Sequence, residues 1–324
     1  MLSRDDVTAL LNLGECVDVV EQAFKSHAEG RSLPPGALGA PAKDGGFHIK
    51  AAGLELSRPY FAAKVNGNFM RNRERYGLPN IQGVIVLCDA ETGSPLAVLD
   101  SIEITILRTG AATGVATKYL ARAGAATATI CGCGNQGRVS LRALAQARRL
   151  ERVFAFDTDD AQAARYAAEL SNELQLAVTI ARDLPAAFRQ SDVIVTCTPS
   201  KQPFIFPSDV APGTFIAAVG ADNETKQELD PSLLTSSKVI VDSLEQCAVI
   251  GDLKLPLQLG LMTKEQVHAE LGEVVAGRKS GRESPEEVIV FDSTGTALQD
   301  VAAAAIVYER AVRNGRGVCF DFTV

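Results

Sequence analysis

Thr127-Ala-Thr-Ile-Cys-Gly132-Cys-Gly134-Asn135-Gln136-Gly137 is a β-rich run that passes directly into Gly-x-Gly-x-x-Gly and then into an amphipathic segment. That order reads as strand, tight turn and helix. The three glycines have separate roles, in that Gly132 makes the turn, Gly134 lets the backbone approach a pyrophosphate, and Gly137 lets the helix pack closely on the sheet. The pyrophosphate then sits at the helix start, where Asn135 and Gln136 lie and where free N–H groups and the helix dipole favour negative charge. A second β-rich run, Arg152-Val-Phe-Ala-Phe156, ends in Asp157, twenty residues beyond Gly137. An acid at that spacing hydrogen-bonds the adenosine ribose 2′-OH and repels a 2′-phosphate, so NAD(H) is expected over NADP(H). The rival reading is a glycine turn in an α/β domain followed by a solvated acid.

Downstream, strands and helices alternate: Thr127–Cys131, a helix to Arg148, Arg152–Phe156, a helix over 160–174, Val178–Ala181, a helix over 184–190, Asp192–Thr198, Thr214–Gly220 and Val239–Asp242. Such alternation predicts a parallel, doubly wound sheet. Two strand ends carry polar residues, Thr196-Cys-Thr198-Pro199 and Val219-Gly220-Ala221-Asp222, and both should face the cofactor, because ligands bind outside the carboxyl ends of such strands. After Pro285 a strand meets Asp292-Ser293-Thr-Gly295, and a final helix, about Leu298 to Arg313, returns to the first domain.

Upstream the pattern changes. Residues 4 to 30 read as one acidic-started helix closing at Gly30, with a proline-rich loop around Leu33-Pro-Pro-Gly36. Short β-rich runs begin at Phe47, Tyr60 and Gln82, and a small-residue helix, about Ile102 to Arg122, leads into the glycine loop. The expected fold class is α/β: a Rossmann-type doubly wound parallel sheet over residues 121–295. A second, α+β domain with an antiparallel sheet is expected from residues 1–120 plus 296–324.

At 324 residues two domains are the expectation. A composition of 46% hydrophobic and 22% charged residues is that of an ordinary globular protein, and a net charge of −7 argues against nucleic acid or an anionic membrane as partner. The start lacks a basic flank followed by an apolar stretch, and no apolar run approaches ~18 residues, so a cytoplasmic location is expected. Seven scattered cysteines do not form a secreted disulfide framework; Cys131 and Cys133 read as packing residues, and no metal site is expected. Only three histidines are present, which disfavours both a Ser-His-Asp hydrolase and a hydroxy-acid dehydrogenase with a histidine base.

Further segments join these motifs: Lys64-Val-Asn66, Gly77-Leu-Pro79, Asp89-x-x-Thr-Gly93-x-Pro95-Leu-Ala97, Ile104-Thr105-x-x-Arg108-Thr109, Val219-Gly220-x-Asp222, Lys226-x-Glu228-Leu229 and Phe291-Asp-Ser293-x-Gly295. Over nearly the whole chain they resemble the ornithine cyclodeaminase/μ-crystallin family. The resemblance implies a nicotinamide cofactor and chemistry at the Cα–N bond of a small amino acid or its imine: ornithine to proline with ammonia release, alanine oxidation, or cyclic imino-acid reduction. It implies that Lys64 and Arg108 contact the substrate, with Lys64 also moving protons, and that Asp222 is the catalytic acid/base. Thr198, Val219, Gly220, Lys226 and Ser293 are implied to touch the cofactor or brace its ring. A homodimer is implied, formed through the first domain and the returning helix, as is the alternative of a non-catalytic nucleotide-binding protein of μ-crystallin type.

Three places depart from the pattern. Pro34-Pro35-Gly36-Ala37 lacks the arginine that cyclodeaminases carry there, and His48 aligns with an arginine of alanine-oxidising relatives. Asn80 replaces a common threonine, and with His48 it is an expected substrate contact. His48 and Lys50 alternate onto one strand face, where they either replace the missing cation or form an ordinary polar pair. Rival readings accompany the other residues: Arg108 in a structural ion pair, Asp222 as a turn former, Lys226 and Glu228 as solvated surface, and Ser293 as a helix N-cap.

Overall fold

The computed structural model describes residues 1–321, which divide into two compact units. One comprises Met1–Arg108 with the segment from Thr296 onward; the other is Thr109–Gly295. The first division falls inside a helix, whereas the sequence pattern places it at residue 120.

In chain order the first unit contains α1 (Arg4–Leu10), α2 (Leu13–Ala28), β1 (Ser32–Ala42), β2 (Gly45–Glu55), β3 (Pro59–Asn68), α3 (Asn72–Tyr76), β4 (Ile81–Asp89), β5 (Pro95–Asp100) and the start of α4 (Ile102–Leu120). The strands form an antiparallel meander in the order β1-β2-β3-β4-β5. Side chains alternate across it. Ala52, Leu54, Tyr60, Ala62, Lys64, Asn66, Ile85 and Leu87 share one buried face. The opposite face carries Phe61, Ala63, Val65, Val84 and Val86, all apolar and all partly or fully exposed.

Two expectations fail here for identifiable reasons. The single helix over residues 4–30 is two helices, because the Asn12 side chain accepts from Glu15 N in a capping box that starts α2 afresh while Leu11 is extended. The proline-rich loop is part of β1, at the sheet edge, where the pairing register shifts between Leu33 and Gly36. Pro34 and Pro35 sit in that shift, where no ladder N–H is needed.

The second unit continues with β6 (Thr127–Cys131), α5 (Asn135–Ala147), β7 (Arg152–Phe156), α6 (Asp160–Leu174), β8 (Ala177–Ile180), α7 (Leu184–Arg189), β9 (Val193–Thr196), β10 (Phe215–Ala218), α8 (Pro231–Thr235), β11 (Lys238–Val241), α9 (Leu244–Ile250), α10 (Lys254–Gln258), β12 (Ala269–Glu270), α11 (Leu271–Val275) and β13 (Ile289–Asp292). The eight strands are parallel in the order β12-β11-β13-β10-β9-β6-β7-β8. β9, β10 and β13 are buried along their full length, which is why they read as unbroken apolar runs rather than alternating ones. Their core is Ile194, Ile216, Val241 and Val290 with Phe188 and Leu253. The fold class is therefore α/β with a Rossmann-like parallel sheet, accompanied by a five-stranded antiparallel sheet.

The last helix, α12 (Ala297–Asn314), belongs to the first unit and packs on β2, β3 and α2. Val301, Ala302, Ala304, Ala305 and Val307 are buried there, small enough to bring the helix close to the sheet.

Candidate functional site

The chain leaves β6 for β7 and β8 on one side, then crosses to β9 on the other. This is the point in an open parallel sheet where a crevice forms at the strand ends. Gly132 lies there with φ +100°, and Cys197 N donates to Cys131 O at 2.9 Å. A Cβ on Gly132 would meet Cys197 O at 2.8 Å, and one on Gly137 would lie 2.0 Å from Gly132 O. Both glycines are thus fixed by the chain's own crowding. Gly134 differs, since a Cβ there would meet no atom within 4 Å. It caps α5, and no side chain accepts at that cap. An open glycine, an uncapped helix start and the buried, unpartnered Oε1 of Gln136 suit a group with its own donors and acceptors.

Asp157 ties this loop to the next turn: Oδ2 accepts from Cys133 N at 2.8 Å, and Oδ1 from Asp159 N at 3.0 Å. Each oxygen retains acceptor capacity for a hydroxyl. The residues present fit a dinucleotide whose ribose is read by a carboxylate.

Glu228 holds the neighbouring strand ends. Its Oε1 accepts from Thr198 N at 2.7 Å and Thr198 Oγ1 at 2.6 Å, and Oε2 accepts from Gly220 N at 3.0 Å. It is fully buried, so the solvated reading fails for this residue. Lys226 bonds Gly220 O at 3.0 Å and Asp222 Oδ1 at 2.7 Å. Asp222 follows β10 with its side chain half exposed. Val219 N donates to Thr196 O, extending the β9–β10 ladder. Ser293 does not cap a helix; its hydroxyl donates to Asp242 Oδ2 at 2.9 Å, the carboxylate that also receives Gly295 N. The N-cap of α12 is Thr296.

The first unit has its own charged centre. Lys64 Nζ, from β3, lies 2.9 Å from Asp300 Oδ1, to which it donates, and 2.7 Å from Oδ2. Arg108 Nε, from α4, donates to the same Oδ1 at 3.2 Å, and its Nη1 donates to Gln299 Oε1 at 3.2 Å. All three charged groups are buried. Burial pushes the Lys64 ammonium down to about 7; Asp300 opposes this, while Arg108 and Lys50 reinforce it. Burial also pushes the Asp300 carboxyl upward, yet Lys64 and Arg108 outweigh it and hold the group below its ordinary value. Gln299 Nε2 is a buried donor without a partner. With Lys64 protonated the cluster holds two cations to one anion, plus a spare donor, which is the electrostatic complement of a small carboxylate.

Lys50 is the cross-strand partner of Lys64 and His48 that of Asn66, so these four residues project from one face of the sheet. Asn66 is fixed by Ser101 Oγ at 2.6 Å, and a Cβ on Gly83 would strike it. Asn80 closes the loop between β3 and β4, where its Oδ1 accepts from Arg73 N and its carbonyl from Phe69 N. Asp300 and Gln299 are site residues that the sequence pattern does not single out. The available signal was two polar residues in the first turn of an otherwise apolar helix, Ala297-Leu-Gln-Asp-Val-Ala302.

Comparison with known proteins gives a consistent answer. Residues 1–315 match the model of the ornithine cyclodeaminase/mu-crystallin family. The chain is 37% identical over 323 residues to alanine dehydrogenase of Archaeoglobus fulgidus, covering 99% of this chain and 98% of that protein. An archaeal alanine dehydrogenase dimer with bound NAD superposes with a TM-score of 0.94 at 37% identity, covering 99% of this chain and 98% of that one. The Delta(1)-pyrroline-2-carboxylate reductase of Thermococcus litoralis, in complex with NADH and L-proline, superposes with a TM-score of 0.93 at 34% identity, covering 98% and 99%. The chain belongs to the ornithine cyclodeaminase/mu-crystallin family.

Proposed function

We propose that this protein is an NAD(H)-dependent amino-acid dehydrogenase or imino-acid reductase acting at the Cα–N bond of a small L-amino acid or its imine. The observation that carries the reading is the buried Lys64–Arg108–Asp300 cluster with its excess positive charge, on a chain that also carries a glycine loop ending in Asp157. The bound dinucleotide supplies a hydride acceptor or donor. Gly132, Gly134, Asn135, Gln136 and Gly137 hold its pyrophosphate, Asp157 its adenosine ribose, and Thr198, Val219, Gly220, Lys226 and Ser293 line or brace its remaining length.

The other steps fall to the chain's own side chains. Arg108 offers a planar fork to the substrate carboxylate, and Gln299 Nε2 gives a further donor. Oxidation of an amine to an imine releases a proton from nitrogen as the hydride leaves Cα. Asp222 accepts that proton, and Lys64, poised near neutrality, is a second group able to exchange one. A neutral Lys64 is the form that accepts, so oxidation of the amino acid should accelerate as pH rises through about 7.

Two names among the relatives, alanine dehydrogenase and pyrroline-2-carboxylate reductase, support direct dehydrogenation or imine reduction over cyclodeamination. A purely binding protein of μ-crystallin type has no need of Lys64, Arg108 and Asp222 together. The test is turnover, measured with NAD⁺ and L-alanine, L-proline, L-ornithine or L-lysine, and with NADH and either pyruvate plus ammonia or a cyclic imine. Change in nicotinamide absorbance with one of these supports the reading; ammonia without NADH points to cyclodeamination; no turnover with any rejects it.

Asp157→Ser should relax the preference for NAD(H) over NADP(H), because the carboxylate that repels a 2′-phosphate is gone. The ratio of the two dissociation constants checks this, and an unchanged ratio removes Asp157 from the ribose site. The apolar sheet face of Phe61, Ala63, Val65, Val84 and Val86 is a surface that a second copy of the chain would cover, and the related archaeal alanine dehydrogenase is a dimer. Light scattering should give twice the 34.3 kDa chain mass, and a mass of one chain would contradict it. Among the described residues no helix is long and apolar enough to cross a membrane.

A further inference from the structure

We propose that Glu228 is a positioning residue: its ionised carboxylate clamps the ends of β9 and β10 together and so sets the strand-end geometry on which NAD(H) binding depends. The proposal rests on the cofactor reading above and names a residue that this reading leaves unused.

The carboxylate accepts from two backbone N–H groups and one threonine hydroxyl, and the Thr196 hydroxyl stands beside it. Thr198 gives its N–H and its hydroxyl to Oε1, and Gly220 gives its N–H to Oε2. A proton on the carboxyl group would stand against a backbone N–H, on Oε2 that of Gly220, or oblige a threonine hydroxyl to turn round and accept. The fit is close, since a Cβ on Gly220 would lie 2.3 Å from Oε2. The carboxylate is itself anchored. Asp252 Oδ1 accepts from Glu228 N at 2.7 Å, Leu229 N at 2.9 Å and Gln227 Nε2 at 2.9 Å. Asp292 in turn holds Asp252 N and Leu253 N. A chain of buried carboxylates therefore runs from β13 to the two strand ends, with each member placing the next.

The charged and titratable groups around Glu228 are Asp252 and, beyond it, Asp292 and Lys254; Cys131 from β6; Cys197 after β9; and Lys226 on its own segment. Burial pushes Glu228 up, the Asp252 charge pushes it further, and the Thr198 bonds oppose both. Burial holds the Cys131 and Cys197 thiols well above their ordinary value, so they stay neutral across the same range. Because the folded state binds this proton more readily than the unfolded chain, the stability from this group rises as pH falls. Loosening of the clamp in mild acid is thus a local event and not the onset of unfolding.

The test is the dissociation constant of NADH, read by fluorescence from mildly acidic to mildly alkaline pH, with circular dichroism at each point. In the wild-type protein affinity should weaken toward acid while the fold persists. Glu228→Gln keeps the shape and can still accept from Thr198, but its amide nitrogen then faces Gly220 N–H, donor against donor. It should bind NADH about tenfold more weakly and flatten the pH profile. Glu228→Asp, which keeps the ionisable group, should retain a pH-dependent affinity. A wild-type affinity independent of pH overturns the proposal even if Glu228→Gln fails to fold, and so does a Glu228→Gln profile matching wild type. Absence of NADH binding at every pH overturns the cofactor reading itself, and the clamp with it.

Discussion

Asp222→Asn is expected to lower kcat by about 10²–10⁴-fold while the NADH dissociation constant stays near its wild-type value. Asparagine has almost the same shape, and its side-chain carbonyl can still accept from Lys226 Nζ, which stands 2.7 Å from Asp222 Oδ1. Lys226 also bonds Gly220 O independently of that contact, so the loop keeps an anchor when the charge is removed. The amide cannot take up the proton that leaves the substrate nitrogen. Rapid-mixing kinetics beside a binding titration separate the two effects: normal rates with weakened cofactor binding would show that Asp222 serves the cofactor and not the chemistry.

The largest stability effect should come from Asp300→Asn. Its carboxylate is the counter-charge of both Lys64 and Arg108, and all three are buried. Removing one member of a buried charge group leaves the others uncompensated, at a cost of about 3–5 kcal/mol. Asp300 also opposes the burial effect on Lys64, so its loss should drive the Lys64 ammonium further down and move the rise of oxidation rate to lower pH. A small carboxylate ligand should restore part of the missing negative charge, and thus raise the melting temperature of the variant more than that of the wild type. Chemical denaturation measures the loss of stability, and thermal unfolding with and without pyruvate measures the rescue. Wild-type stability would mean that the cluster is neutral or solvated, contrary to the reading of its charge.

The dinucleotide half was legible because its constraints are local. Gly132, Gly134 and Gly137 lie within one turn, and Asp157 follows at a spacing set by one helix and one strand. The glycine roles inferred from the motif have visible counterparts: crowding at Gly132 and Gly137, open space at Gly134. The partners of those residues were harder to read, because they come from far along the chain. Asp300 is more than two hundred residues from Lys64, and a lone acid in an alanine-rich helix does not announce its partner. Glu228 read as surface because its neighbours Glu224, Lys226 and Gln227 are polar, yet its backbone N–H is turned onto Asp252 and its side chain inward. Pro34 and Pro35 hid β1, since proline argues against a strand unless the strand is an edge with a register shift.

The central claim is hydride transfer at Cα of an amino acid, and isotope transfer tests it most directly. NADH carrying deuterium on the transferable position of its nicotinamide ring is incubated with the protein and whichever imino acid, or keto acid with ammonia, proves to be the substrate, and the product is read by mass spectrometry and NMR. The account predicts one deuterium on Cα of the L-amino acid, with NADH consumed in equal amount. Consumption of NADH without deuterium at Cα, or none with any of these substrates, would contradict it.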